Sequence, residues 1–247
     1  MNDPRRERSL SFGSEAAAYE RGRPSYPPEA VDWLLAPTAD WDARDVLDLG
    51  AGTGKLTTRL VERGLRVIAV DPIAEMLDML RGALPDTPAL LGSAEQIPLP
   101  DSHVDAVLVA QAWHWFDADR AAAEVARVLR PGGRLGVLWN TRDERSGWVR
   151  DFGRIVGLEH DRDRATVDLP TSFTDVATHQ VQWTNYITRD ALIDYVASRS
   201  YCITSPAEVR TRTLENVREL LDTHPALVNS TGLAMPYITV CVRATLA

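Results

Sequence analysis

The sequence predicts an α/β protein built on a doubly wound, mostly parallel, seven-stranded sheet, with a terminal antiparallel strand and a helical lid. Three observations carry that expectation. Short apolar runs alternate with helical stretches of about ten residues, the mark of βαβ units. Those runs hold few charges, so the sheet is expected to be covered on both faces. A glycine cluster, Gly50-Ala51-Gly52-Thr53-Gly54, directly follows the first run.

Val46-Leu47-Asp48-Leu49 forms the first strand and runs into that cluster. A helix follows, with Leu56 and Leu60 on one face and Gly64 as its C-cap. The second strand covers residues 65–70 and ends at Asp71-Pro72. Residues 73–80 read as a helix with Met76, Leu77 and Leu80 inward. Residues 89–91 and 104–109 give strands three and four. A helix over 120–129 is stopped by Pro131-Gly132-Gly133, and residues 134–139 form strand five. Residues 147–159, 190–200 and 206–221 look helical, and 181–188 alternates like a strand. Ile238, Val240 and Val242 recur at period two, so 235–246 is a final strand, paired antiparallel at the sheet edge. Residues 1–247 are expected to form one domain, with 45–140 as its ligand-binding core and lid helices within about 144–230.

Composition narrows the function. The 247 residues carry 27 cations against 35 carboxylates, a net charge of −8. An acidic chain is a poor partner for duplex nucleic acid, which wants clustered Lys and Arg. Lys55 is its one lysine. No apolar run approaches the ~20 residues of a membrane span, and the charged start, Met-Asn-Asp-Pro-Arg-Arg-Glu-Arg, has no apolar signal region. A cytoplasmic protein is expected. Cys202 and Cys241 are too few for a disulfide framework or a four-ligand zinc site, so they read as buried thiols and no metal is expected.

The glycine cluster sits between a strand and a helix, where bare backbone and a helix N-terminus can meet a ligand. A phosphate-binding loop of the G-x-x-x-x-G-K-[ST] kind fails at Leu49 and Leu56. A dinucleotide fingerprint would need glycine where Lys55 stands, which weakens a nicotinamide cofactor without removing it. The pattern D-x-G-x-G-x-G, from Asp48 to Gly54, fits S-adenosylmethionine. A tight strand-to-helix turn with no ligand is the plain alternative. Asp71 ends the second strand, 21 residues after Gly50. A carboxylate there accepts hydrogen bonds from both hydroxyls of a ribose, or serves the next helix as a cap.

Taken together, these motifs resemble those of the class I S-adenosylmethionine-dependent methyltransferases, in the small-molecule branch similar to trans-aconitate methyltransferases. Asp48 to Gly54 resembles the first family motif and Val70-Asp71-Pro72 the second. Gly92-Ser93-Ala94-Glu95-Gln96-Ile97-Pro98-Leu99 resembles the adenine-side loop, and Leu129-Arg130-Pro131-Gly132-Gly133 the turn before strand five. The resemblance implies cofactor contacts from Asp48, Gly50, Ala51, Gly52, Gly54, Asp71, Pro72, Met76, Ser93, Ala94, Glu95, Gln111 and Trp115. Phe12, Tyr19 and Arg23-Pro24-Ser25-Tyr26-Pro27 resemble the segment that folds over the cofactor in this branch, with Tyr19 and Arg23 closing on it. Relatives commonly carry Asp where this chain has Ser93.

Gln111-Ala112-Trp113-His114-Trp115-Phe116 follows strand four at the ligand edge of such a sheet. It reads as a wall of the cofactor–acceptor cleft, with His114 the candidate general base, or as packing of the next helix. Arg142, Arg145 and Arg199 are candidates for meeting an acidic acceptor. The expected activity is methylation of a small molecule, at a carboxylate or phenol oxygen, with S-adenosylhomocysteine as coproduct. A nicotinamide-linked oxidoreductase and a non-catalytic S-adenosylmethionine-binding protein are the alternatives.

Overall fold

A computed structural model describes residues 23–37, 42–157, 167, 169–197, 202, 205–228, 230 and 232–247. Seven strands form one sheet: β1 (Asp45–Leu49), β2 (Arg66–Asp71), β3 (Ala89–Leu91), β4 (Val104–Ala110), β5 (Leu129–Arg142), β6 (Phe173–Ile187) and β7 (Leu233–Leu246), in the order β3-β2-β1-β4-β5-β7-β6. β1 is parallel to both β2 and β4, with Leu49 opposite Val70 and Asp48 opposite Leu108. Asp143 N–H donates to the Pro236 carbonyl, and the Thr141 hydroxyl to that of Ile238. Ala247 N–H donates to Ser172, and Thr174 pairs with Thr245. Such descending pairs make β7 antiparallel to both neighbours. The expected antiparallel final strand is present, but it lies between β5 and β6, and β6 is the edge.

The chain clusters into two compact units. One is built of Ser25–Asn140, Ala165–Val181 and Thr239–Ala247. Its strands bury both faces. Leu47 and Leu49 point into one cluster with Ala121, Ala122, Val125 and Val128 of α4 (Ala118–Val128). Val46 points into the other, with Val31 and Leu34 of α1 (Pro28–Leu34) and Leu56 and Leu60 of α2 (Lys55–Val61). The period of two along β1 thus serves two helical layers. The buried stripe of α4 follows helical spacing, and Asp117 caps it by accepting from Arg120 N–H at 3.3 Å. α3 (Ala74–Ala83) buries Met76, Leu77 and Leu80 as the pattern required.

Strand five begins earlier than expected. Leu129 already pairs with Val104, and Pro131-Gly132-Gly133 is a bulge inside the strand before Ala106 meets Arg134. A Cβ at Gly133 would stand 2.7 Å from the Arg130 carbonyl oxygen, so only glycine lets the backbone turn there. At this amino edge Asp105 accepts from the N–H groups of Arg44 and Asp45 at 2.8 and 2.9 Å and pairs with Arg130. Hydrogen bonds from the Arg66 guanidinium, then from Arg130, hold the Asp45 carboxyl down at about 2. β6 also starts earlier than residue 181. As an edge strand its first half is mostly exposed, so it lacks the apolar signature of a buried one.

The other unit contains Thr141–Arg164 and Gln182–Ile238, with Arg23 and Pro24. Its helices are α5 (Gly147–Ile155), α6 (Arg189–Ala197) and α7 (Ala207–Thr223). They close a core of their own around Phe152, Leu192, Val196, Val217 and Leu221, with Met235 and Tyr237 of β7. Cys202 is buried in that core and Cys241 in the first unit; neither is in a disulfide, and burial pushes the Cys241 thiol up to about 12. Among the described residues no helix is long and apolar enough to cross a membrane, and no group of three His, Cys, Asp or Glu is placed to hold a metal.

Candidate functional site

β1 to β5 are parallel, so their carboxyl ends share one edge of the first unit. The helix after β1 packs on one face and the helix after β4 on the other. The chain therefore parts between β1 and β4, a switch point of the kind at whose strand ends open α/β sheets hold ligands.

The glycine loop lies at this edge, directly after β1. Gly50 and Ala51 N–H both donate to the Val70 carbonyl, at 2.8 and 3.1 Å, and Gly54 N–H to Ala51 at 3.0 Å. A Cβ on Gly50 would come within 2.7 Å of the Ala112 Cβ, so this glycine lets β1 approach the loop after β4. Gly52 differs. Its φ is +57°, and a Cβ there would meet none of the described residues within 4 Å. Bare backbone at Gly52 is open on that side among the described residues.

Asp71 anchors this loop to β2. Its Oδ2 accepts from Gly52 N–H and its Oδ1 from Ile73 N–H, each at 2.9 Å. Burial pushes the carboxyl pKa up, and the two N–H donors pull the other way. Each oxygen keeps a second lone pair. The cap-like and ligand-binding readings of Asp71 are thus compatible.

Asp48 is fully buried beneath the loop. Its Oδ2 accepts from the Thr57 hydroxyl at 2.6 Å, while Oδ1 has no hydrogen-bond partner among the described residues. Desolvation, with a smaller push from the Asp71 charge, raises this carboxyl to about 7. The folded state therefore holds a proton that the unfolded chain releases near the ordinary 3.8. The stability this contributes is complete below the unfolded value and is lost as pH rises through about 7. Asp48→Asn keeps an acceptor for Thr57 and removes the titration. Thermal melts of the ligand-free protein between about pH 5 and 8 are expected to decline less steeply for Asp48→Asn than for wild type. Parallel melting curves for the two would show that Asp48 is not the titrating group.

The remaining candidates fall on three segments. Pro72 is exposed just beyond β2, and Met76 is buried in α3. Ser93 and Gln96 close a small turn after β3, with Gln96 N–H donating to the Ser93 carbonyl at 3.2 Å; Ala94 is buried within it. Glu95 accepts from Asp117 N–H at 3.0 Å and so ties this turn to the start of α4. Gln111 takes a left-handed conformation, φ +57°, with its backbone N–H on Leu138 and its side-chain amide on the Asn140 carbonyl, both at 3.0 Å. That conformation costs a non-glycine residue roughly 1–2 kcal/mol, offset here by two bonds to β5.

Residues 113–115 form one turn of 3₁₀ helix. Trp113 is buried in the core, edge-on to Phe116 at 5.9 Å between ring centroids. His114 and Trp115 are half-buried, their rings 4.6 Å apart. The aromatic segment is therefore divided, Trp113 packing and the next two at the surface of the edge. Arg23 belongs to the other unit, its guanidinium 5.3 Å from the Tyr195 ring. Phe12, Tyr19 and Arg199 lie outside the described residues. Thr57 was not anticipated as a site residue; its partner, Asp48, is nine positions away, and no local pattern signals it.

The seven-stranded sheet, the glycine loop after β1 and the carboxylate ending β2 are together the architecture of a class I S-adenosylmethionine-dependent methyltransferase. Residues 47–137 match a family model described as "Methyltransferase domain". An uncharacterized methyltransferase of Mycobacterium tuberculosis is 73% identical over 247 residues, the whole of both chains. A malonyl-[acyl-carrier protein] O-methyltransferase of Serratia marcescens is 37% identical over 125 residues, 48% of this chain and 49% of that one. A solved type II methyltransferase structure from Anaeromyxobacter dehalogenans superposes with a TM-score of 0.65 at 26% identity, over 90% of this chain and 97% of that one. The chain belongs to the methyltransferase family. It uses S-adenosylmethionine, and the nicotinamide-linked alternative gives way.

Proposed function

We propose that this enzyme methylates a small molecule at oxygen, with a carboxylate or phenol as acceptor. The observation that carries the proposal is the strand edge after β1, where Gly52 presents bare backbone beside Asp71. The oxygen preference draws on the Serratia relative, whose name specifies O-methylation.

The residues present fit the cofactor. Asp48 has a buried oxygen without a partner, Gly52 has space, and Asp71 has spare lone pairs. When bound, S-adenosylmethionine supplies a methyl group already activated on a sulfonium. In this proposal Asp71 accepts from the ribose hydroxyls, and Asp48 serves the methionine ammonium, directly or through water. Gly50, Ala51, Gly52 and Gly54 let the backbone approach. Ser93 and the Ala94 N–H receive the adenine, with Glu95, Pro72 and Met76 around it. Gln111 and Trp115 wall the methionine side, as the family resemblance implies. The protein's contribution is chiefly to hold the acceptor oxygen in line and to exclude water.

His114 is assigned an orienting role, because a carboxylate acceptor arrives already ionised and needs no base. His114→Ala is expected to lower turnover by less than about tenfold and to leave S-adenosylhomocysteine affinity within a few-fold. A loss of about 10²-fold or more, with turnover falling at low pH, would reverse that role and favour a phenol. The proposal as a whole is tested by a labelled-methyl transfer assay across carboxylates and phenols, beside calorimetry with S-adenosylhomocysteine and with NAD. Transfer to nitrogen or carbon acceptors alone would overturn it.

A further inference from the structure

The segment 92–99 follows β3 at the ligand edge of the first unit, and it owes its place to α4. Gly92 N–H donates to the Asp71 carbonyl at 3.2 Å, so the segment starts beside the residue that ends β2. A Cβ on Gly92 would stand 2.6 Å from Pro98 Cδ, so the two ends of the loop touch. Between them Gln96 N–H turns back onto the Ser93 carbonyl, and Ala94 and Ile97 are buried. A short loop closed at its neck moves as one piece. Whatever holds residues 97–99 therefore also places Ser93 and Ala94.

Two side chains of α4 do the holding. The buried stripe of Ala121, Ala122, Val125 and Val128 fixes that helix on the sheet, and Glu124 and Arg127, an i,i+3 pair, flank it. Glu124 Oε2 accepts from Ile97 N–H at 2.9 Å. Arg127 Nη2 donates to the Ile97 carbonyl at 2.9 Å, and Nη1 to that of Leu99 at 2.8 Å. Both backbone polar groups of Ile97 are thus met from one helix. The remaining Arg127 donors lock the pair, Nε and Nη2 on the two Glu124 oxygens at 2.7 Å and Nη1 on Asp101 at 2.9 Å. All five N–H groups of the guanidinium are engaged, in a planar fork that lysine cannot reproduce. The hydrogen bond from Arg127 in turn holds the Glu124 carboxyl below the usual carboxylate range.

We propose that Glu124 and Arg127 set the enzyme's selectivity for adenine, by fixing the loop whose Ser93 and Ala94 receive the base. The inference rests on those two proposed cofactor contacts and adds what places them. Glu124 and Arg127 are positioning residues that act through the Ile97 and Leu99 backbone, without touching the ligand. Adenine offers an amino group and a ring-nitrogen acceptor along one edge. Hypoxanthine offers an oxygen and a ring N–H at the same points. A loop held in register with the first edge sets donor against donor and acceptor against acceptor on the second. A loop released from α4 shifts to suit either.

The test is calorimetry on the full chain with S-adenosylhomocysteine and with S-inosylhomocysteine, which differ only at that edge. Wild type is expected to prefer the adenine compound by about tenfold or more. Arg127→Met should lower that preference by about fivefold or more through weaker S-adenosylhomocysteine binding, with S-inosylhomocysteine affinity within about twofold. Arg127→Lys should do nearly the same, because a point charge cannot span Ile97, Leu99 and Glu124. Glu124→Gln keeps an acceptor for Ile97 N–H. It should lower the preference less, and it carries the test if the arginine variants do not fold. Ser93→Ala gauges the underlying reading and should lower the preference as well; a fall in the α4 variants alone would still support the proposal, with Ala94 N–H as the reader. A preference that falls in Ser93→Ala but survives all the α4 variants would overturn the proposal and leave the adenine contacts standing. A preference absent in wild type, or unchanged in every variant, would remove the loop from the adenine site and the proposal with it. Equal weakening of both ligands in the arginine variants would also overturn it, since the pair would then serve the fold and not the reading of the base.

Discussion

Gly52→Leu is expected to fold and to lose methyl transfer. The left-handed conformation at this position costs a side chain about 1–2 kcal/mol, within the roughly 5–15 kcal/mol by which domains are stable. Among the described residues no atom lies within 4 Å of the added Cβ, so none of them has to move. The melting temperature should fall by only a few degrees, at about 2–4 °C per kcal/mol for a chain of this size. The new side chain instead fills the space proposed for the cofactor. Affinity for S-adenosylhomocysteine should drop by about 100-fold or more, as expected when a ligand must expel or displace a fixed group. Gly54→Ala is the contrast. Its Cβ would stand 2.9 Å from Leu80 Cγ at a φ of +92°, so that variant should show the larger loss of stability. Calorimetry and thermal melts on the two proteins decide the matter. Near-native S-adenosylhomocysteine affinity in Gly52→Leu would remove the loop from the cofactor site.

Asp71→Ala should weaken S-adenosylhomocysteine by roughly 10- to 100-fold, equivalent to about 1.5–3 kcal/mol of lost charge-assisted hydrogen bonding. The structure adds a second effect. Gly52 and Ile73 N–H both lose their acceptor, so the loop loses its tie to β2. Stability should fall as well, by about 1–3 kcal/mol for the unmet donors. Asp71→Asn separates the two. Its amide oxygen still accepts one N–H, so the melting temperature should lie between those of wild type and alanine. An amide cannot accept at both positions, so ligand affinity should stay low. Unchanged affinity in both variants would refute the ribose assignment.

The parallel half of the sheet was legible because its buried strands read as apolar runs ending in glycine or Asp-Pro. The loop was legible for a related reason: positive φ and close approach leave few residue types open at Gly50 and Gly54. What stayed hidden depends on partners distant in sequence. The start of β5 is set by Leu129 pairing with Val104, which no local pattern reveals. α1 was not anticipated, although Pro28 and Glu29 mark its first turn. Thr57 looks like any helix residue until it is seen donating to Asp48. Glu95 looks like a ligand contact, yet one of its oxygens is held by Asp117 N–H. Among 26 arginines the sequence offers no way to separate Arg142 from Arg145; the difference lies in which of them Asp143 occupies.

The position of β7 has a consequence for biosynthesis. β5 and β6 leave the ribosome before the strand that lies between them. During that interval both present an open edge, and β6 is long, with Val176 and Tyr186 outward. Until β7 emerges, β6 is free to pair with β5 directly, in the slot that β7 must occupy. Such a nascent chain would have to reopen before the native order could form. Strand insertion therefore makes β7, translated after both of its neighbours, the arbiter of correct assembly, and the delay before it a window for chaperone capture.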